Sequence, residues 1–211
     1  MIKDKELFRL SIFTAAQFFI AFIFIRLFTL NEVANYTIID FIGNLMFYLI
    51  IFILPVIFYM IKFLKVDPID YLNLKNNVGK GLLYGYGVGI VIFIVFLIKN
   101  GFALRSDAFS SYRILLVIGT ILVGILEEVP MRGFLQRAFK EKLGFVRANI
   151  IVSVIFGLLH FSQFSIKGLL MVLFFAVVGL WLGYIYEKTN SLWAPIIVHS
   201  AYNLMTVMFL R

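Results

Sequence analysis

Long apolar runs follow one another along almost the whole chain, separated by short polar stretches, and nothing else narrows the fold as much. A helix needs about 20 residues to cross a bilayer, and apolar runs of 18 or more read as such spans. The chain is 63% hydrophobic and 14% charged, where a soluble domain is roughly one half apolar. Six or seven spans of about 20 residues, joined by short loops, use up all 211 residues. The expectation is an all-α fold: a polytopic membrane bundle of about seven transmembrane helices around an intramembrane polar cavity, with 1–211 forming a single integral-membrane domain.

Spans are expected at about 7–30, 38–64, 81–99, 113–142, 148–161, 167–187 and 191–210. The first keeps a charged start and shows no small-residue cleavage site, so it reads as a retained helix and not a signal peptide. Arg26 can snorkel from its far end. Asp40 is expected at an interface, and Pro55 is expected to kink the second span. Residues 66–80 form the longest polar loop, with Asp67-Pro68 and Asn76-Asn77 as turn signals. Gly81, Gly85 and Gly89 lie four apart, which suits close helix packing. A phosphate loop is excluded, because no Gly-Lys-Ser/Thr follows them. Trp181 and Trp193 suit an aromatic belt around the last tight turn.

The formal net charge is +8, but the basic residues sit at span ends, which is a topology signal and argues against nucleic acid as a partner. With the N-terminus inside, thirteen Lys and Arg fall on the cytoplasmic side and six on the other. That asymmetry predicts a cytoplasmic N-terminus. There is no cysteine, so disulfides, Cys–zinc sites and a cysteine nucleophile are excluded.

The fourth run carries Glu127-Glu128-Val129-Pro130-Met131-Arg132. Charges in hydrocarbon are costly and persist mainly when paired or when they face a functional polar cavity. Later runs each bring one histidine, His160 and His199, and the chain has no others. From Glu127 to the turn at Gly144 is about 17 residues, and from that turn to His160 about 16, so two helical arms rising 1.5 Å per residue return to one level. His199 lies about nine residues past the turn at Asn190, at a similar depth. Within the helices, Glu128 and Arg132 share a face, as do Phe156 and His160, and His199 and Asn203. Glu127 points about 100° away from the Glu128–Arg132 face and is left without that partner. Pro130 cannot donate to the carbonyl of Leu126, so the helix is expected to bend there. A carboxylate beside a histidine can hold a water and take its proton during attack on an amide carbonyl. His199 and the Asn203 amide can donate to the resulting oxyanion.

Glu-Glu-x-x-x-Arg (127–132), Phe-x-x-x-His (156–160) and His-x-x-x-Asn (199–203) together resemble the three motifs of the CPBP family, in order and on successive spans. That family contains the CAAX prenyl endopeptidases and the bacterial bacteriocin-processing and self-immunity (Abi) proteins. The resemblance covers about the last 90 residues, a motif core at about 113–210. It implies an intramembrane glutamate protease whose cavity opens to the cytoplasm. Glu127 and His160 would activate water, and His199 with Asn203 would form the oxyanion site. Glu128, Arg132 and Phe156 would support the site or position substrate. Pro130 departs from the bulky apolar residues usual in the first motif.

Two other readings stay open at this point. One is a zinc-dependent protease with Glu127, His160 and His199 as ligands, three protein ligands plus water being a catalytic pattern. No His-Glu-x-x-His is present to support it. The other is a non-enzymatic membrane protein, an immunity factor or scaffold, that keeps the motifs as a core. A transporter is disfavoured because no inverted repeat is visible. The favoured reading needs no cofactor and takes as partners the lipid bilayer and a peptide or membrane-protein substrate. The Ile/Phe/Lys/Asn-rich composition points to a bacterial cell membrane, where a prenylated Cys-a-a-X substrate is not expected. A bacteriocin leader, a signalling peptide and a membrane-protein tail are all compatible.

Overall fold

The computed structural model describes residues 2–28, 37–101, 104–105, 110–161 and 163–209. The expected connection at 31–36, the side chain of Arg26 and Ser162 fall outside these residues. Among the described residues the protein is all helix and turn. The helices are α1 (Ile2–Phe28), α2 (Ile38–Leu64), α3 (Pro68–Tyr71), α4 (Val78–Lys99), α5, α6 (Phe145–Leu159), α7 (Ile166–Thr189) and α8 (Trp193–Phe209). Helix α5 runs unbroken through Ser111–Glu128, Val129–Gln136 and Arg137–Leu143. The fold is a polytopic helical bundle, as the apolar runs predict.

Five helical stretches are long and apolar enough to cross a membrane: Lys5–Phe24, Ile38–Leu64, Val78–Lys99, Arg113–Leu143 and Ile166–Thr189. Helices α6 and α8, at 15 and 17 residues, are shorter than the roughly 20 that a crossing takes. The about seven spans expected thus resolve into five of full length and two short ones. The end of α6 has a local cause, because the chain folds back onto its last carbonyls. The backbone N–H of His160 donates to Gly157 O at 3.0 Å and that of Phe161 to Leu158 O at 3.1 Å. The His160 ring takes Phe156 O at 2.9 Å. These are the groups a helix C-terminus otherwise leaves orphaned.

Both interior prolines widen their helices instead of simply kinking them. Pro55 cannot donate to the carbonyl of Ile51, and α2 passes through a π-helical turn at Leu49–Ile53 just before it. Gln17 of α1, itself buried, supplies the missing donor: its Nε2 reaches Ile51 O at 2.9 Å and Phe52 O at 3.2 Å. Pro130 sits in a second π-helical stretch, Val129–Gln136, whose eight residues are all buried. Asp40 does lie at a helix start, where it closes a capping box with Thr37.

The bundle is tied at the end that carries the N-terminus. The Arg137 guanidinium donates to the Tyr71 carbonyl and to Asn73 Oδ1, and Asn73 Nδ2 donates to Tyr186 and to Asn190 Oδ1, both at 3.1 Å. Trp193 Nε1 donates to Leu74 O at 2.8 Å, and Lys140 pairs with Glu187 at 2.7 Å. Tyr71 is enclosed by these contacts, and burial pushes its hydroxyl above the usual phenol range, so it stays protonated.

Close packing on either side of the site depends on glycine. Gly81, Gly85 and Gly89 of α4 face Ser191, Ile197 and Ala201 around α8, which bears out the packing account of that stripe. On the other side, a methyl group added at Gly157 of α6 would overlap the Val172 carbonyl of α7 and stand 3.1 Å from Ala176 Cβ. Gly157→Ala is therefore expected to push α6 from α7 and to cost about 1–3 kcal/mol. Thermal unfolding in detergent measures this, and an unchanged melting temperature would contradict the close approach.

Candidate active site

The polar centre is built on α5, where the π-helical stretch begins directly after the acidic pair. Glu128 and Arg132, four residues apart, are both fully buried. Arg132 Nη1 donates to Glu128 Oε1 at 3.3 Å. Its Nε stands 3.2 Å from Glu128 Oε2, an ion contact whose angle does not make a hydrogen bond. Nη2 donates to the Gly179 carbonyl of α7 at 3.0 Å, and the guanidinium lies 4.8 Å over the Phe156 ring of α6. One arginine thus links three helices, and its charge is committed to Glu128. The pairing expected from the four-residue spacing is present.

Glu127 lies outside that pair. Its Oε1 accepts from the Tyr48 hydroxyl of α2 at 2.6 Å. Its Oε2 faces His199 Nε2 of α8 at 3.9 Å, and the carboxylate is only slightly exposed. His199 is oriented from its other side, with Nδ1 2.8 Å from Glu128 Oε1. A carboxylate beside an arginine is an acceptor only. Nδ1 therefore carries the hydrogen, and Nε2 is the nitrogen turned toward Glu127. The two adjacent carboxylates have separate tasks: Glu128 fixes the arginine and the imidazole, and Glu127 meets the imidazole from its Nε2 side.

Phe156 is the packing hub of the site. Fully buried, its ring lies 4.8 Å from the His160 ring and 5.8 Å edge-on from the His199 ring. His160 also stacks on Phe175 of α7 at 3.7 Å. The Phe156 carbonyl can only accept, so His160 Nδ1 carries a hydrogen and Nε2 is the ring nitrogen outside that contact. His160 makes no hydrogen bond or ion contact to Glu127 among the described residues. Arg132 meets Glu128 and the Phe156 ring, His199 meets both carboxylates and the Phe156 ring, and His160 is set across that ring. Asn203 stands one turn beyond His199, its amide donating to Thr120 O of α5 at 3.4 Å.

Glu127, His160 and His199 do not converge as a ligand set. Among the described residues no three His, Cys, Asp or Glu side chains stand close enough to share a metal ion. A cavity of about 230 Å³ lies between the first halves of α2 and α5, with Phe41, Leu45, Tyr48, Thr120, Val123 and Leu126 on its wall. It extends toward the end of the bundle opposite the N-terminus.

Several participants carried no motif. Tyr48 is 79 residues from Glu127 in sequence and is one of ten tyrosines. Gln136 donates to Gly183 O and Asn149 to Leu180 O, so α7 offers its carbonyls to three helix-borne donors, Arg132 included. The usable signal was polarity inside an apolar run, which marks Gln17 and Asn149 as well.

The geometry and the comparisons with known proteins point the same way. Residues 109–205 match the family described as Type II CAAX prenyl endopeptidase Rce1-like. A Bacillus subtilis (strain 168) protein named "Putative membrane peptidase YdiL" is 30% identical over 102 residues, which is 48% of this chain and 39% of that protein. The chain therefore spans about two fifths of the length of this relative. No solved structure matches the chain. The family likeness falls on the half that holds Glu127, His160, His199 and Asn203, and through that half this multi-pass membrane chain is similar to the CAAX prenyl endopeptidases.

Proposed function

We propose that the protein is an intramembrane endopeptidase in which Glu127 activates a water against a peptide bond of a peptide or membrane-protein substrate. The observation that carries this is a carboxylate left over in the bundle interior. Arg132 is committed to Glu128, and Glu127 turns a separate oxygen toward His199 Nε2 at 3.9 Å. A structural ion pair has no use for the second carboxylate, whereas a general base needs one that is not neutralised. His160, with Nδ1 tied to its own helix, offers Nε2 as a second acceptor for the same water. The oxyanion falls to α8. The Asn203 amide exchanges its long bond to Thr120 for the substrate oxygen, and His199 donates once Nε2 is protonated. In this reading side chains alone activate the water, and the protein sits in a bacterial cell membrane with its N-terminus cytoplasmic.

Membrane peptides from cells carrying wild type, Glu127→Gln and His160→Ala, profiled with and without a chelator, test the reading and reveal the substrate. Peptides that vanish in both variants and resist chelation are the expected result. Loss on chelation, restored by zinc, would favour the metal-dependent alternative. Identical profiles at equal expression would leave a non-enzymatic immunity or scaffold protein.

A further inference from the structure

We propose that Tyr48 is the positioning residue of Glu127: its hydroxyl holds Oε1 and leaves Oε2 as the one basic oxygen presented to the attacking water. This rests on the protease reading above. The Tyr48 hydroxyl donates to Oε1 at 2.6 Å, a length typical of a charge-assisted O–H to carboxylate bond. Oε2 stands 3.9 Å from His199 Nε2, beyond direct hydrogen-bond reach. The two oxygens of one carboxylate are therefore unequal. One is already used, and the other faces the imidazole across a gap.

The surroundings hold Tyr48 in place. Its ring packs edge-on against Phe47 at 5.4 Å and tilted against Phe52 at 5.8 Å. The π-helical turn Leu49–Ile53 begins at the next residue, and Gln17 from α1 binds the carbonyls that turn exposes. A π turn re-aims the residues beside it and is frequent at functional sites. The partner helix is built the same way, since the π-helical stretch of α5 opens directly after Glu127-Glu128. Two neighbouring helices are thus each widened beside one end of a single hydrogen bond. Tyr48 also lies on the cavity wall, while Glu127 does not.

In the step concerned, a water proton passes to Oε2 as the water oxygen bonds to the amide carbon and the carbonyl electron pair moves onto its oxygen. The same proton leaves with the amine as the C–N bond breaks. Tyr48 keeps its own proton throughout. It sets which oxygen acts and in which direction, which a glutamate with three free torsions does not set by itself.

Tyr48→Phe removes the hydroxyl and keeps the ring. The probe is a fluorogenic peptide carrying the cleavage site mapped by the membrane-peptide comparison, assayed in liposomes of phosphatidylethanolamine and phosphatidylglycerol. We expect kcat to fall about ten- to a hundredfold, the effect of one hydrogen bond to a charged group, with KM within about twofold and the melting temperature within a few degrees. Infrared spectra of protein labelled with ¹³C-glutamate need no substrate. A carboxylate band that is absent from Glu127→Gln is expected to move in Tyr48→Phe. Wild-type kcat in Tyr48→Phe, with Glu127→Gln inactive, overturns the positioning role and leaves the protease reading standing. So does an unmoved band. If kcat, KM and melting temperature all worsen together, Tyr48 is a packing residue and the proposal fails. Continued cleavage by Glu127→Gln removes the protease reading, and the positioning role with it.

Discussion

Glu127→Gln is expected to abolish cleavage while leaving the bundle intact. A positioned general base contributes about 10²- to 10⁴-fold, and an amide cannot replace it, so activity should fall by at least that range. The folded state should tolerate the change. Glu127 is not the partner of Arg132, so its removal strands no buried cation. The Tyr48 hydroxyl can still donate to a Gln oxygen at the position of Oε1. Melting temperature in detergent and turnover in liposomes, measured on the same preparation, separate the two effects. A variant that loses turnover and also unfolds would mean that Glu127 holds the fold and would undercut the assignment of a base.

Arg132→Met should behave in the opposite way. Glu128 would be left fully buried with one imidazole partner, and the Gly179 carbonyl would lose its donor. Removing one member of a buried pair costs about 3–5 kcal/mol, because the remaining charge is uncompensated. The variant is expected to accumulate poorly in membranes and to melt well below wild type. Adding Glu128→Gln should recover most of the loss, since the charge is removed and a Gln oxygen still accepts from His199 Nδ1. The recovered double variant should remain impaired in cleavage, because Arg132 also braces the Phe156 ring on which both imidazoles pack. If Arg132→Met melts like wild type, the pair is not the keystone of this centre. Single and double variants on one melting curve decide it.

What the sequence determined by itself was everything set by helix periodicity and length. Apolar runs of bilayer length set the all-helical bundle, and four-residue spacing paired Glu128 with Arg132 and placed Phe156 with His160. The Gly81, Gly85 and Gly89 stripe marked a close packing face. All of these follow from 1.5 Å and 100° per residue within a single helix, so local sequence is enough. Only the tertiary structure decided how the helices turn toward one another. It placed His199, and not His160, opposite Glu127, and it brought Tyr48 across from α2. It also spent Gln17 on carbonyls exposed by Pro55. Apolar side chains are nearly interchangeable as lipid-facing surface, so hydropathy does not record rotation about a helix axis. A few hydrogen bonds and ion pairs between residues distant in sequence select that rotation in an interior where unpaired polar groups are costly.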